Sequence, residues 1–246
     1  MSKKEFSRWM AGTALLICAA PYAQANTFSS NATVTFTIDS IVNTSGVAED
    51  WQGLQIGGRY ALDQSLSYLN DAEAVNGAFT PIDASGDYSA SIGPGSFTKT
   101  MAISGSTSSG SADAYYLGLF DLTFLNSSAH SFDIQVTLSY DLSTSVSGDY
   151  SESAIQLDYF NATGGFDSGA NGLSVYAATP YFSADGLSGA VVYNFSLNPG
   201  DSEAVYVDVG TSAYIETAPV PLPGAWYLFA TAIALPMWQR VKPRIA

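Results

Sequence analysis

The chain has 246 residues, with 22 acidic against 8 basic side chains and a formal net charge of −14 at pH 7. A surface so acidic repels phosphate backbones and anionic membranes, which excludes nucleic-acid binding and leaves cations as the favoured counterparts. With Cys18 as its one cysteine, the chain forms no internal disulfide.

At the N-terminus, Lys3, Lys4 and Arg8 precede an apolar run from Met10 to Ala20, and Ala23-Gln24-Ala25 follows it. A positive region, a short apolar core and small residues at a cut are the three parts of a secretory signal. Residues 1–25 are therefore predicted to be a signal peptide, with a signal peptidase reading Ala23 and Ala25. The run is shorter than the roughly 20 residues that span a bilayer. Cys18 sits inside it behind Ile17 rather than a small residue, so lipidation is not expected and the exported part carries no thiol. Between the two basic ends, Arg59 and Lys99 stand against 21 carboxylates, a net charge of −19. Such a domain must hold itself together by core burial, and residues 26–216 are long enough to do so.

The interior reads as strands. Val34, Phe36 and Ile38 alternate with polar residues, and Trp51 opens a stretch in which Leu54 and Ile56 read as buried, so core packing is its expected role. Leu62 to Ala74 is predicted as a short helix. The region from Asp83 to Asp113, rich in Gly and Ser, is predicted to contain a mobile loop or a wide hairpin tip. Phe120, Leu122 and Phe124 alternate next. Then comes the clearest strand, Ser131 to Leu142, with Phe132, Ile134, Val136, Leu138, Tyr140 and Leu142 on one face. The polar stretch Asn126 to Ser131 predicts a hairpin joining these two strands. Ile155, Leu157 and Tyr159 form a shorter run. Val191, Tyr193, Phe195 and Leu197 lead through Asn198-Pro199-Gly200 to Val205, Val207 and Val209, which predicts a closing hairpin. Many short alternating segments without an internal repeat predict one all-β domain, an antiparallel β-sandwich of immunoglobulin or jelly-roll type.

Residues able to carry chemistry are sparse. His130 is the sole histidine and no nucleophile elbow accompanies it, so an ordinary loop histidine is expected rather than a catalytic one. With one histidine and no exported cysteine, a zinc site has no ligand set. Asp167 to Gly172, "DSGANG", places Asp167, Asn171 and Gly172 where a calcium loop needs positions one, five and six. Gly169 and Ala178 stand where two further ligands belong, which rules out an EF-hand and leaves Asp167 and Asn171 as candidates for a looser Ca2+ site. Carboxylate pairs for glycoside hydrolysis carry no weight in a chain with this many acids, so no enzyme activity and no cofactor is expected.

After Thr217-Ala218-Pro219 the character changes. Val220-Pro221-Leu222-Pro223 opens an apolar segment with Trp226, Leu228 and Phe229, and Arg240, Lys242 and Arg244 close it. A helix from Pro223 to Trp238 reaches roughly 24 Å, a marginal membrane span, with Pro236 weakening its last turn. Basic residues beyond such a segment stop transfer and stay inside, while the acidic middle crosses.

This order of motif, span and basic tip resembles the PEP-CTERM class of bacterial sorting signals, and most of all its VPLPA-CTERM subclass. Gly224 replaces the usual alanine, and the basic tip is sparser than a tight arginine run. The resemblance covers residues 220–246. It implies recognition of Val220, Pro221, Leu222 and Pro223 by an exosortase, transient anchoring in the inner membrane, and release to the cell surface or extracellular matrix. The expected role is structural or adhesive, in a biofilm or exopolysaccharide matrix. The alternative is a carbohydrate- or calcium-binding surface module on the same scaffold.

Overall fold

The computed structural model describes residues 25–47, 50–69, 74–79, 85–89, 94–107 and 110–217, with side chains placed outside 60–93. Among them are eleven strands: β1 (Asn26–Asn43), β2 (Leu54–Leu69), β3 (Ala74–Phe79), β4 (Ser85–Ser89), β5 (Gly95–Thr107), β6 (Ser111–Asn126), β7 (Phe132–Ser147), β8 (Tyr150–Asn161), β9 (Leu173–Ala178), β10 (Ala184–Leu197) and β11 (Ser202–Glu216). All lie in one compact unit, Ala25–Ala218. No helix among the described residues is long and apolar enough to cross a membrane. The expected signal segment, up to Gln24, and the tail beyond Thr217 lie outside the described residues.

Two antiparallel sheets form, in the orders β10-β7-β1-β5-β3 (sheet A) and β4-β2-β6-β11-β8-β9 (sheet B). The fold is all-β and sandwich-like, with one apolar cluster drawn from both layers. The long strands with placed side chains supply it mainly by alternation, because side chains two apart share a face. β7 contributes Phe132, Ile134, Val136, Leu138, Leu142 and Val146, each 5% exposed or less. Val205, Val207, Val209 and Ile215 of β11 face them with no exposed surface. Burying each such side chain stabilises the fold by about 1.5–3 kcal/mol. Phe124 meets Phe195 edge to face across the layers, with ring centroids 5.1 Å apart.

One residue breaks the rhythm of β1. The register shifts between Ile38 and Ser40, which leaves Asp39 as an extra residue whose carboxylate accepts from Thr137 Oγ1 at 2.6 Å. The bulge turns Ile41 back into the core, where it is 5% exposed, although simple alternation from Ile38 would have faced it outward.

The topology corrects several expectations. β6 lies in sheet B and β7 in sheet A, so Asn126 to Ser131 is a crossing between layers rather than a hairpin turn. The same holds for β10 and β11, joined through Asn198-Pro199-Gly200. Among the described strands, β8 and β9 are the consecutive pair that stays in one sheet. The physical reason is that a strand with one apolar face is satisfied in either layer, so alternation does not choose between turning back and arching over. The segment from Leu62 is strand, not helix, because β2 pairs with β6 along its whole length from Leu54 to Leu69. The Gly/Ser-rich stretch is largely strand as well. In β5, Met101 and Ile103 are buried and Thr107 is covered, so small polar neighbours did not prevent pairing with β1.

Candidate functional site

The strand ends define two poles. At the first, Asn26 begins β1 beside the end of β11. Its Nδ2 donates to the carbonyls of Glu216 and, at 3.2 Å, Tyr150, while Asp149 N–H donates to its Oδ1 at 3.0 Å. Both ends of the β-unit therefore leave from this pole. At the opposite pole β6 and β10 end and β2, β7 and β11 begin. There Asn126 is fully buried and makes the equivalent clasp. Its Nδ2 donates to His130 O at 2.7 Å, Asn198 O at 2.9 Å and Leu197 O at 3.2 Å, and its Oδ1 accepts from Ser128.

A groove of about 780 Å³ opens at this second pole, within the size range of ligand sites. Ile56 of β2, Phe124 of β6, and Glu203 and Tyr206 of β11 line it. Tyr206 lies on the outer face of sheet B and stacks on Phe160 of β8, centroids 5.1 Å apart and planes 25° from parallel. Phe160 is 39% exposed. Beside this pair Arg59 binds Asp121 through Nε at 2.8 Å and Nη2 at 2.7 Å. In the next row Asp208 of β11 stands directly opposite Asp158 of β8. Partial burial, and then the charges of Asp121 and Asp158, push the Asp208 carboxyl above the usual carboxylate range.

Glu203 of the groove wall belongs to a satisfied polar cluster. Glu203, 5% exposed, accepts from Thr163 Oγ1 at 2.5 Å, from Tyr193 OH at 3.2 Å and from Ala204 N–H at 2.9 Å. Asn161 Nδ2 donates to Tyr193 OH at 2.7 Å and to Thr163 Oγ1 at 2.9 Å. Burial raises the Tyr193 phenol, with the Glu203 charge and hydrogen bond adding to it and the Thr163 and Asn161 bonds working against it, so the group stays a neutral donor at physiological pH. Phe166 packs on Tyr193 at 5.0 Å and on Tyr159 at 4.7 Å. This cluster fixes the rim of the groove.

A second hollow, about 370 Å³, lies on the outer face of sheet A between Asp133 of β7 and Asn194 of β10. Its carboxylate is engaged, because Ser196 Oγ donates to Asp133 at 2.6 Å. Between β1 and β5 that face is a hydroxyl ladder, with Thr33–Thr100 at 3.0 Å, Thr35–Thr98 at 2.8 Å and Thr37–Ser96 at 3.0 Å. There sheet A spends its outer hydroxyls on itself.

The sequence candidates fall elsewhere. Asp167 Oδ1 accepts from Gly169 N–H at 2.6 Å within its own turn, where Gly169 holds φ +88°. Asn171 lies in the same turn, and no group of three or more His, Cys, Asp or Glu able to hold a metal occurs among the described residues. His130 is a loop residue with Nδ1 at 3.5 Å from Ser45 Oγ. Trp51 packs on the core and donates from Nε1 to Ile41 O at 3.1 Å. Ala25 is the first described residue, while Ala23, Val220, Pro221, Leu222, Pro223, Arg240, Lys242 and Arg244 are outside the described set.

Reading the sequence missed Tyr206, Phe160, Glu203 and the pairing of Asp208 with Asp158. A signal was present: Tyr206, Asp208 and Tyr214 occupy the polar phase of a strand whose other phase is valine. What could not be read was which strand would lie beside them.

The arrangement offers Tyr206 and Glu203 in the groove wall, with Phe160, Asp121 and Arg59 next to Tyr206 on the outer face of sheet B. Such a surface can take the apolar face of a sugar ring on the rings and its hydroxyls on the carboxylates. Neither a protein-family model nor a curated protein matches the chain. Among solved structures, one described as "putative beta-galactosidase from bacteroides fragilis" aligns at 11% identity and a TM-score of 0.12, over 64% of this chain. The chain spans 29% of that structure's length, and a similarity at this level carries no argument about fold or activity.

Proposed function

We propose that this chain is an exported, non-enzymatic adhesive protein of the cell surface or extracellular matrix, and that the groove at its second pole contacts exopolysaccharide. One observation carries the reading: Tyr206, stacked on Phe160 and next to the Arg59–Asp121 pair on the outer face of sheet B, lines a groove at the pole opposite the two ends of the β-unit. In this reading residues 1–25 form the signal helix, residues 217–246 form the sorting tail with its transmembrane helix, and the two sheets are of jelly-roll-like type. Signal peptidase reads Ala23 and Ala25. An exosortase of the PEP-CTERM system reads Val220 to Pro223, while Arg240, Lys242 and Arg244 hold the tail at the inner membrane.

The ligand class follows from charge. A domain of net charge −19 disfavours polyanionic glycans and suits neutral or amino-substituted ones. Binding of Tyr206→Ala to neutral polysaccharide in affinity electrophoresis is expected to fall at least about tenfold, the loss of one aromatic platform. Retention equal to that of the unaltered protein would remove the groove from the proposal. For the tail, replacing Pro221 and Pro223 together is expected to leave the protein unprocessed. Intact mass of the released protein reads this directly, and an unchanged mass counts against motif recognition.

A further inference from the structure

The two sheets end, on one side of the molecule, in strands that treat their free edges differently. β9 is six residues long. Its Tyr176 N–H is taken by the Asp185 carboxylate at 3.0 Å, and Pro180 follows its end. These are ordinary ways of blunting a sheet edge. β10 runs 14 residues, pairs with β7 in unbroken register from Ala184 to Leu197, and contains no proline, no bulge and one charge, Asp185. It carries none of those protections beyond its first two residues.

The direction of its main-chain groups can be worked out. Ladder bonds alternate along an antiparallel pair, and Val146 N–H donates to Ser183 O at 2.8 Å. Odd-numbered residues of β10 therefore turn their N–H and C=O toward β7, and even-numbered residues turn theirs away. Gly186 N–H, on the away side, accordingly bonds to the Asp185 carboxylate at 2.8 Å. Ser188, Ala190, Val192, Asn194 and Ser196 present the rest of the free edge. Their side chains are exposed, small or uncharged, with Val192 49% exposed. On the other face of the strand Leu187, Val191, Tyr193 and Phe195 reach the core but are only half-buried, as expected where a sheet stops one strand early.

We propose that β10 pairs with β10 of a second copy of this chain, antiparallel about a two-fold axis, joining two five-stranded sheets into one. Three features select that partner. The edge offers main-chain donors and acceptors and no charged or bulky side chain, so it fits an extended strand rather than a charged surface. Antiparallel pairing sends the two Asp185 carboxylates to opposite ends, whereas a parallel pair would oppose them. The same edge is used by both copies, so the assembly closes at two instead of growing. Pairing also covers the half-exposed rims of Leu187, Val191, Tyr193 and Phe195. This proposal does not depend on the sugar reading.

The test is sedimentation equilibrium of the full chain in density-matched detergent, with hydrogen exchange read on the same samples. The unaltered chain is expected to be a dimer whose association strengthens as salt screens the repulsion between two acidic domains. Amides from Ser188 to Ser196 are expected to be protected in it. Ala190→Pro removes an outward N–H that bonds nothing among the described residues, and should weaken association at least about tenfold. It should leave the circular-dichroism spectrum unchanged, and the thermal midpoint equal to that of the unaltered chain once both are diluted to monomer. Val192→Asp, which puts like charges across the seam, should do the same. A monomer at all concentrations, a dimer indifferent to both variants, or assemblies that grow past two would each overturn the proposal. So would protection of these amides in a monomer, because a segment of the same chain would then already occupy the edge.

Discussion

The two poles of the β-unit each carry a buried asparagine, and they use it differently. Asn26 locks the start of β1 to the Asp149–Tyr150 corner and the end of β11, and the fit leaves no room: a Cβ on Gly148 would stand 2.0 Å from Asn26 Oδ1. Asn126 ties its own loop to the end of β10, and beside it the surface opens into the groove under Tyr206. The first pole is a closure, where side chains satisfy main chain. At the second, the same kind of closure lies beside a groove lined by Tyr206 and Glu203. A clasp tolerates no change in shape, whereas the rim of a groove that binds as proposed tolerates changes in stability but not in chemistry. Substitutions at the two poles should therefore separate folding from binding.

The largest effect is expected at the closed pole. Gly148 holds φ +104° with Asn26 against it, so Gly148→Ala combines backbone strain with a steric conflict. It should cost about 3 kcal/mol in denaturant unfolding, with polysaccharide binding per folded molecule unchanged. Asn126→Ala at the open pole removes a clasp whose carbonyl partners can partly turn to water, and about 2 kcal/mol is expected. Here binding should weaken too, because the loop beside the groove loses its tie. Equal behaviour of the two variants in both assays would erase the distinction between the poles.

Smaller changes sharpen the comparison. Thr211 of β11 is 1% exposed and its hydroxyl has no hydrogen-bond partner among the described residues. Thr211→Val keeps the shape and drops the orphan group, so a gain of about 1 kcal/mol is expected from the same unfolding measurement. The smallest effect belongs to Asp208. Burial and the neighbouring Asp121 and Asp158 raise its folded carboxyl above the unfolded value, so the folded state resists its ionisation. The penalty is present above the folded pKa and is relieved as pH falls through it toward the usual carboxylate range. Asp208→Asn should accordingly stabilise at neutral pH by less than about 1 kcal/mol, the site being partly solvated. The gain should vanish in acid, and a gain that grows in acid instead would reverse the assigned shift.

Much of the fold was legible. The alternation from Phe132 to Leu142 named the core face of β7 residue by residue, and the valines of β11 did the same, because a period of two is enough to say which side chains are covered. It misled at Tyr140, which is half-buried rather than fully covered, and it could not see Ile41 entering the core past the bulge at Asp39. The candidate site was much less legible. Tyr206 and Phe160 lie 46 positions apart in the numbering and meet only because β11 was placed beside β8.

The amino-acid sequence by itself determined the all-β class and the inward face of β1, β6, β7, β8, β10 and β11 over most of their length, since both follow from local periodicity and the free energy of burying apolar area. The partner of each strand was decided by tertiary structure alone. An amphipathic strand buries its apolar face equally well in either layer, so Asn126 to Ser131 and Asn198 to Gly200 read as hairpin turns and are crossings. That choice assembled the groove and left β10 as an open edge, and it rests on the packing of whole sheets against each other rather than on any segment's own preference.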